Sequence, residues 1–167
     1  MNKYRTFVPR FWALILDTTL LLPLAIAADA LAESTYPEAQ RNLFLVILNL
    51  ANIVYFVVLH GLYGQTAGKY LMNVKVVKMD ECAIGFVQAI LRNLPQIILV
   101  LSSLVPAMNI ALGGPPDAPL TPISLLIAIW GTADLIVFIV NPKRRALHDL
   151  IAGTVVIRLE RATKRRD

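Results

Sequence analysis

The sequence predicts an all-α integral membrane protein in which four transmembrane helices form two hairpins and both chain termini are cytoplasmic. Hydrophobic residues make up 57% of the chain and charged residues 16%, against roughly 25% charged in an average soluble domain. Four apolar runs each approach the roughly 20 residues that cross a bilayer as a helix. Most cations lie in the segments that these runs would place on one side. We expect residues 1–167 to form a single domain.

The first predicted helix, residues 10–31, starts with a cation and contains a carboxylate. Arg10 and Asp17 are about two helical turns apart, roughly 10 Å along one face. A carboxylate at the centre of a membrane helix costs on the order of 3 kcal/mol or more, so Asp17 is the first candidate functional residue. The apolar run is too long for a cleaved signal peptide and contains this acid, so we expect it to be retained.

The second predicted helix, residues 42–63, carries three polar side chains on an apolar background, namely Asn49, Asn52 and His60. Two interpretations stay open: hydrogen bonds between helices, or the lining of a pathway.

The segment that follows, from Gly64 to Lys78, interrupts the membrane pattern. Gly68 and Lys69 resemble part of a phosphate-binding loop, but three residues rather than four separate the glycines, and Tyr70 follows the lysine. We therefore predict an interfacial segment whose valines contact lipid or the helix bundle and whose lysines, including Lys69, face anionic lipid headgroups.

The third predicted helix, residues 93–112, places Pro95 in its first turn and Arg92 at the membrane interface. A second possibility is that this helix starts at Gly85, which would bury Arg92 and make it a counter-ion for Asp17. The fourth predicted helix, residues 120–140, contains the second intramembrane acid, Asp134, and is followed by a basic cytoplasmic tail at residues 143–167.

The charges in the connecting segments predict the orientation. By the positive-inside rule, the basic N-terminus, middle connection and tail are cytoplasmic, in a multi-pass membrane protein. The two other connections are acidic and would lie outside; their acids are Asp29, Glu33, Glu38 and Asp117.

This topology predicts that Asp17 and Asp134 lie at one depth, about 10 and 12 Å from the cytoplasmic face. Facing inward, they would form a polar pocket open to the cytosol. The opposite interpretation is an ion-paired core in which Arg10 or Arg92 fixes Asp17 and nothing is transported. The other polar residues expected in the pocket are Asn52, His60, Arg92 and Gln96.

The chain resembles the RDD family of bacterial membrane proteins, named for an arginine and two aspartates. Arg10 and Asp17 match the first two of these residues, and Asp149 is our first choice for the third, with Asp134 as the alternative. Two cytoplasmic blocks carry the rest of the resemblance: Gly64-Gln65-Thr66-x-Gly68-Lys69-x-Leu71 and Arg145-Ala-Leu-His148-Asp149-x-x-Ala152-Gly153-Thr154.

The resemblance implies transport of a small ligand, with cation/proton exchange as the best candidate, through Asp17, Asp134, Asp149 and His148. The alternative is a scaffold that docks a larger complex through the cytoplasmic segments at residues 65–78 and 145–154, which would pack on each other. Either role requires a homo-oligomer or another membrane subunit. We expect no enzyme, since no nucleophile accompanies His148, and no cofactor, metal or nucleic-acid partner.

Overall fold

The computed structural model describes residues 3–114 and 121–159, leaving undescribed the side chains at 38, 39, 121–124 and 127. Long helices dominate this part of the chain, and two short helices and two strands form a layer at one end. In chain order the elements are α1 (Phe7–Thr35), α2 (Glu38–Tyr63), α3 (Ala67–Leu71), β1 (Val74–Lys78), α4 (Phe86–Ala111), α5 (Thr121–Val140), α6 (Leu147–Ile151) and β2 (Thr154–Arg158).

Three helices in the described chain, α1, α2 and α4, are long and apolar enough to cross a membrane. In α5, the apolar portion of described residues, Ala128–Val140, is shorter. Large apolar side chains on the outer faces stay exposed, such as Leu24 at 69% and Val105 at 72%. Exposed apolar surface on this scale is typical of helices that contact lipid rather than water.

Helices α2 and α4 pack along much of their length. Val46 and Ile53 of α2 meet Val100 and Ala107 of α4 in a buried apolar cluster. Helix α5 contacts α4 and α6, and α1 contacts both α2 and the short helix α3. Among the described helices, α2 and α4 thus share the most extensive contact, which holds the start of α4 beside the end of α2.

The prediction of an all-α chain is wrong, because β1 and β2 form an antiparallel pair that runs from Val74 opposite Arg158 to Lys78 opposite Thr154. Valine-rich segments of this kind favour extended backbone, since β-branched side chains fit a pleated surface. Val74, Val76 and Val156 are fully buried against one another and Ile84. The valines of β1 therefore fill a small core of the layer, whereas the sequence predicted that they contact lipid or the helix bundle.

The third long helix starts earlier than the predicted residues 93–112. Helix α4 begins at Phe86, and the side-chain oxygen of Gln88 accepts a hydrogen bond of 3.1 Å from the backbone nitrogen of Gly85. The alternative start at Gly85 is therefore confirmed, and Arg92 is buried in the second turn. Pro95 lies inside the helix, as membrane helices tolerate when neighbouring groups satisfy the freed backbone.

The other long helices also extend past their predicted bounds. Helix α1 covers Phe7–Thr35 rather than 10–31, and α2 covers Glu38–Tyr63 rather than 42–63. Helix α5 ends at Val140 as predicted. Residues 115–120 and 160–167, which include Asp117 and the last eight residues of the predicted basic tail, lie outside the described residues.

Candidate functional site

The site is organised around Asp149, in the short helix α6. Because Asp149 is the third residue of this helix, its carboxylate reaches back and accepts a hydrogen bond of 3.1 Å from the backbone nitrogen of Ala146. The side chain is completely buried. A buried carboxylate needs compensating charge, and two other helices supply it.

Arg10 of α1 and Arg92 of α4 bind the two oxygens of this carboxylate. Arg10 Nη1 donates to Asp149 Oδ2 at 2.9 Å, and Arg92 Nη1 donates to Asp149 Oδ1 and, at 2.7 Å, to Thr154 Oγ1. Burial by itself raises the pKa of Asp149, but the guanidinium groups of Arg92 and Arg10 outweigh it and hold that pKa well below its usual range. These three side chains, the Arg–Asp–Arg cluster, therefore carry a net charge of one positive unit.

His148 connects this cluster to the second acid of the bundle. Asp134 Oδ1 contacts His148 Nδ1 at 2.8 Å and accepts a hydrogen bond of 3.0 Å from the His148 backbone nitrogen. On the other side of the ring, Nε2 lies 3.4 Å from Arg92 Nη2 and 3.6 Å from Asp149 Oδ1. Since a guanidinium can only donate, Nε2 acts as an acceptor toward Arg92 when the ring is neutral. His148 thus lies between the carboxylates of Asp134 and Asp149, which face opposite sides of its ring.

Asp17 belongs to a separate contact. Its carboxylate accepts hydrogen bonds from Thr66 Oγ1 at 2.5 Å and from the Gly68 backbone nitrogen at 2.7 Å. A side chain at position 68 would lie 2.2 Å from the carbonyl oxygen of Ala13, so only glycine allows α3 to approach α1 this closely. Among the described residues, no Lys or Arg forms an ion pair with Asp17. The expected pairing of Asp17 with Arg10 or Arg92 is therefore wrong.

Lys69 points into the protein rather than toward lipid headgroups as predicted. Its Nζ lies 2.9 Å from His60 Nε2, and His60 Nδ1 lies 2.8 Å from the carbonyl oxygen of Phe56. The carbonyl can only accept, so Nδ1 carries the proton and Nε2 accepts from the ammonium. Burial, followed by the charges of Arg92 and Arg10, lowers the pKa of Lys69 to about 7, despite the opposing effect of two aspartates.

A cavity of about 660 Å³ opens between these groups. We call it the basic cavity, because four basic side chains line one end of it: His60, Lys69, Arg92 and His148. Its remaining polar lining comes from α4, and the rest of its wall is apolar. The polar residues of α4 are Asn93, Gln96 and Ser102, and the apolar wall includes Leu14, Phe56, Ile98, Leu99, Leu126 and Trp130.

The predicted pocket shared by Asp17 and Asp134 does not form, because Asp17 binds α3 and Asp134 binds α6. Gln96 lines the basic cavity as expected. Asn52 is not among the lining residues, and its Oδ1 is buried without a hydrogen-bond partner among the described residues. Asp17 and Asp134 therefore do not converge.

Gln65 and Gly153, singled out in the two sequence blocks, have local structural roles. Gln65 Nε2 donates to the carbonyl oxygen of Val74 at 2.9 Å, which ties the end of α2 to β1. Gly153, at a φ of 63°, makes the turn between α6 and β2. The predicted cytoplasmic segments, residues 65–78 and 145–154, meet, as expected, where Lys78 of β1 pairs with Thr154 of β2.

Sequence reasoning assigned no specific role to Thr66 and Thr154. Both are buried, and they bind Asp17 and Arg92 respectively. A threonine immediately before a short helix is a typical N-cap, and this pattern could have identified Thr66. Thr154 binds Arg92 across 62 positions of sequence, a pairing that no local pattern indicates.

The sequence profile of the RDD family matches residues 4–153, a range that contains every residue of the Arg–Asp–Arg cluster and of the basic cavity. No match was found among curated proteins or among solved structures.

Proposed function

The chain belongs to the RDD family, and from this premise we propose that it is a multi-pass protein of the bacterial cytoplasmic membrane that transports a small charged ligand. The basic cavity carries this proposal, because it is large enough for a small ligand and holds charged groups beside a protonatable histidine. The role is not enzymatic.

The proposed topology has four spans and two cytoplasmic termini. The Arg158 backbone nitrogen donates to the Lys3 carbonyl oxygen at 3.0 Å, so the two ends of the described chain meet. This contact supports an even number of crossings. Helix α1 has 29 residues and is therefore roughly 44 Å long, against about 30 Å of hydrocarbon. Its first turns, with Arg10, would thus lie beside a cytoplasmic layer made of α3, β1, α6 and β2.

We propose that Asp134 and His148 exchange the proton that accompanies transport. Protein donors occupy the carboxylates of Asp17 and Asp149, whose side chains are almost fully buried. Asp134 keeps 23% of its side chain exposed, and among the described side chains its hydrogen-bond partner is His148. A cation at Asp134 competes with protonated His148, so occupancy by one disfavours the other. Cation/proton exchange is therefore the first form of coupling to test.

Reconstituted vesicles with an imposed pH gradient test this function. We expect the wild-type protein to dissipate the gradient when Na⁺ or K⁺ is added, and Asp134→Asn to abolish this response with unchanged insertion. Glu33→Gln is the matched control, because it removes an exposed acid far along α1 from the site. A gradient that persists under every added cation would eliminate exchange. Asp17→Asn is unsuitable, since it also loosens α3.

A second candidate function is a scaffold, favoured by the cytoplasmic layer itself. In this layer Tyr70 and Leu71 of α3 are 70% and 58% exposed. Lys69 and Asp149 point inward, so the exposed apolar side chains are the better docking contacts. We expect Tyr70→Ser with Leu71→Ser to reduce the mass of a homo-oligomer or subunit complex in lipid nanodiscs. An unchanged mass that equals one chain in wild type and variant would contradict this role.

A further inference from the structure

The basic cavity has an excess of positive charge. Lys69 and Arg92 line it, and none of its described lining residues is Asp or Glu. Arg92 shares its counter-ion with Arg10, because both guanidinium groups bind the carboxylate of Asp149. Around Lys69, three cations (Lys69, Arg10 and Arg92) face two acids, Asp17 and Asp149, neither of which lines the cavity. Such an imbalance in a partly enclosed site attracts anions.

Lys69 has unused hydrogen-bonding capacity toward the cavity. An ammonium group donates three hydrogen bonds, and the contact described for Nζ is to a neutral imidazole nitrogen of His60. A charged group in a half-buried position is normally paired with the opposite charge. Burial and the neighbouring arginines lower the pKa of Lys69 to about 7. An anion bound beside the ammonium group would raise this pKa.

Apart from Asn93, Gln96 and Ser102, the rest of the cavity lining is apolar and belongs to helices with exposed apolar faces. Phe56 of α2, Leu99 of α4 and Leu126 with Trp130 of α5 form its wall. A small inorganic anion would leave this surface uncovered. An apolar chain attached to an anionic group would cover it, and a volume of about 660 Å³ lies within the roughly 300–1,000 Å³ of small-molecule sites.

We propose that the basic cavity binds an anionic amphiphile with one apolar chain, its carboxylate or phosphate headgroup held by Lys69 and Arg92 and its chain lying along Leu99, Leu126 and Trp130. This inference rests on the part of the proposed function that makes the basic cavity a ligand site, and it names the class of that ligand; it does not depend on cation exchange at Asp134. The headgroup can come from a free fatty acid or from a single-chain phospholipid, and the two sources share this chemistry.

Equilibrium binding to the full chain in nanodiscs of neutral lipid tests the proposal. The probes are palmitate, palmitoyl lysophosphatidate, neutral monopalmitin and cetyltrimethylammonium, which share one chain length. We expect one anionic molecule per chain and at least tenfold weaker binding of the neutral and cationic probes. The stronger of palmitate and lysophosphatidate identifies the source of the headgroup. Equal binding of all four probes, or binding of none, would overturn the inference.

Substitutions locate the site. Lys69→Gln should weaken palmitate binding about tenfold, whereas the control Lys143→Gln removes an exposed lysine outside the cavity and should leave it unchanged. Leu126→Trp fills the apolar end from a lipid-exposed position, so it should weaken palmitate binding more than octanoate binding. If Lys69→Gln does not fold, Leu126→Trp still tests the proposal. Equal weakening of palmitate and octanoate binding by Leu126→Trp would contradict the proposed path of the apolar chain.

The two proposals fail separately. If the protein binds the anionic probes but leaves every pH gradient intact, cation/proton exchange is refuted and the proposed anionic ligand class stands. Gradient collapse with no preference for anionic probes would refute the ligand class and keep exchange.

Discussion

Asp149 is the residue on which most of the site depends. Its carboxylate receives Arg10 from α1 and Arg92 from α4, so it joins two long helices to the layer at their ends. Removing one partner of a buried ion pair costs more than the pair contributes, because the remaining charges stay buried without compensation. Here a single substitution would leave two guanidinium groups uncompensated.

We expect Asp149→Asn to lower the free energy of unfolding by about 3–5 kcal/mol. Chemical unfolding of the detergent-solubilised protein, followed by circular dichroism, measures this change. Glu33→Gln, at an exposed position, should stay within about 0.5 kcal/mol of wild type. A similar small change for Asp149→Asn would show that the cluster does not stabilise the fold.

Lys69 gives the protein a pH dependence with a defined sign. Its pKa is about 7 when folded, against 10.5 for the ordinary side chain. Between these values the unfolded chain binds a proton that the folded chain does not, so stability rises with pH across this window. The charged groups that face Lys69 come from three helices: Arg10 and Asp17 of α1, Arg92 of α4, and Asp149 of α6; His60 of α2 contacts it directly.

We expect the free energy of unfolding to increase between pH 7 and pH 9.5, and Lys69→Met to remove most of this increase. Unfolding curves at several pH values provide the measurement, with Lys143→Met as the control for loss of an exposed lysine. A rise that persists in Lys69→Met would assign the effect to another group. The affinity for palmitate should fall over the same interval, because Lys69 loses its charge.

At the scale of elements, the contact of α3 with α1 depends on a glycine and a carboxylate that face each other. Gly68 brings its backbone nitrogen to Asp17, and a β-carbon at this position would collide with the backbone of Ala13. This contact positions the end of α2, the start of β1 and Lys69 between them. Asp17 therefore acts as the docking point of a short helix rather than as an ion-binding carboxylate.

We expect Gly68→Ala to destabilise the protein by about 1–3 kcal/mol, because the added methyl group forces α3 away from α1. Gly131→Ala is the matched control, since a β-carbon there meets no atom within 4 Å. Thermal unfolding of the two variants gives the comparison. Equal stability of Gly68→Ala and Gly131→Ala would mean that α3 is not held against α1 in solution.

At the scale of the whole molecule, the layer and the long helices divide the chain into two environments. The layer has its own core of buried valines, whereas the long helices expose most of their large apolar side chains. The Arg–Asp–Arg cluster and the basic cavity lie where these environments meet. At that boundary the charged headgroup of a ligand could bind basic side chains while its apolar chain contacts apolar side chains.

Accessibility of single cysteines tests the orientation. Cys82 is exposed in the connection between β1 and α4, which the proposed topology makes cytoplasmic. Ser34, near the far end of α1, would face the outside. In intact cells we expect a membrane-impermeant maleimide to label Ser34→Cys in a Cys82→Ser background and to spare wild-type Cys82. The reverse pattern, or labelling of both, would contradict two cytoplasmic termini.

The amino-acid sequence by itself determined the family, the long apolar helices and the residues of the two blocks. Hydropathy and charge are sums over neighbouring positions, so they indicate spans without knowledge of packing. Arg10 and Asp149 were identified for the same reason, since they stand in recognisable local patterns. The early start of α4 stayed open, because proline and glycine each offered a plausible first turn.

Only the tertiary structure decided which charges meet. Arg10 and Arg92 lie 139 and 57 positions from Asp149. Strand β1, in the middle of the chain, pairs with β2, which lies near the C-terminus. Depth along a helix predicted that Asp17 and Asp134 share a pocket, but depth does not specify which face of a helix a side chain occupies. The packing of the helices decides which face a side chain occupies. Here it places Asp17 against α3 and Asp134 against α6, while Lys69 and Arg92 line the cavity.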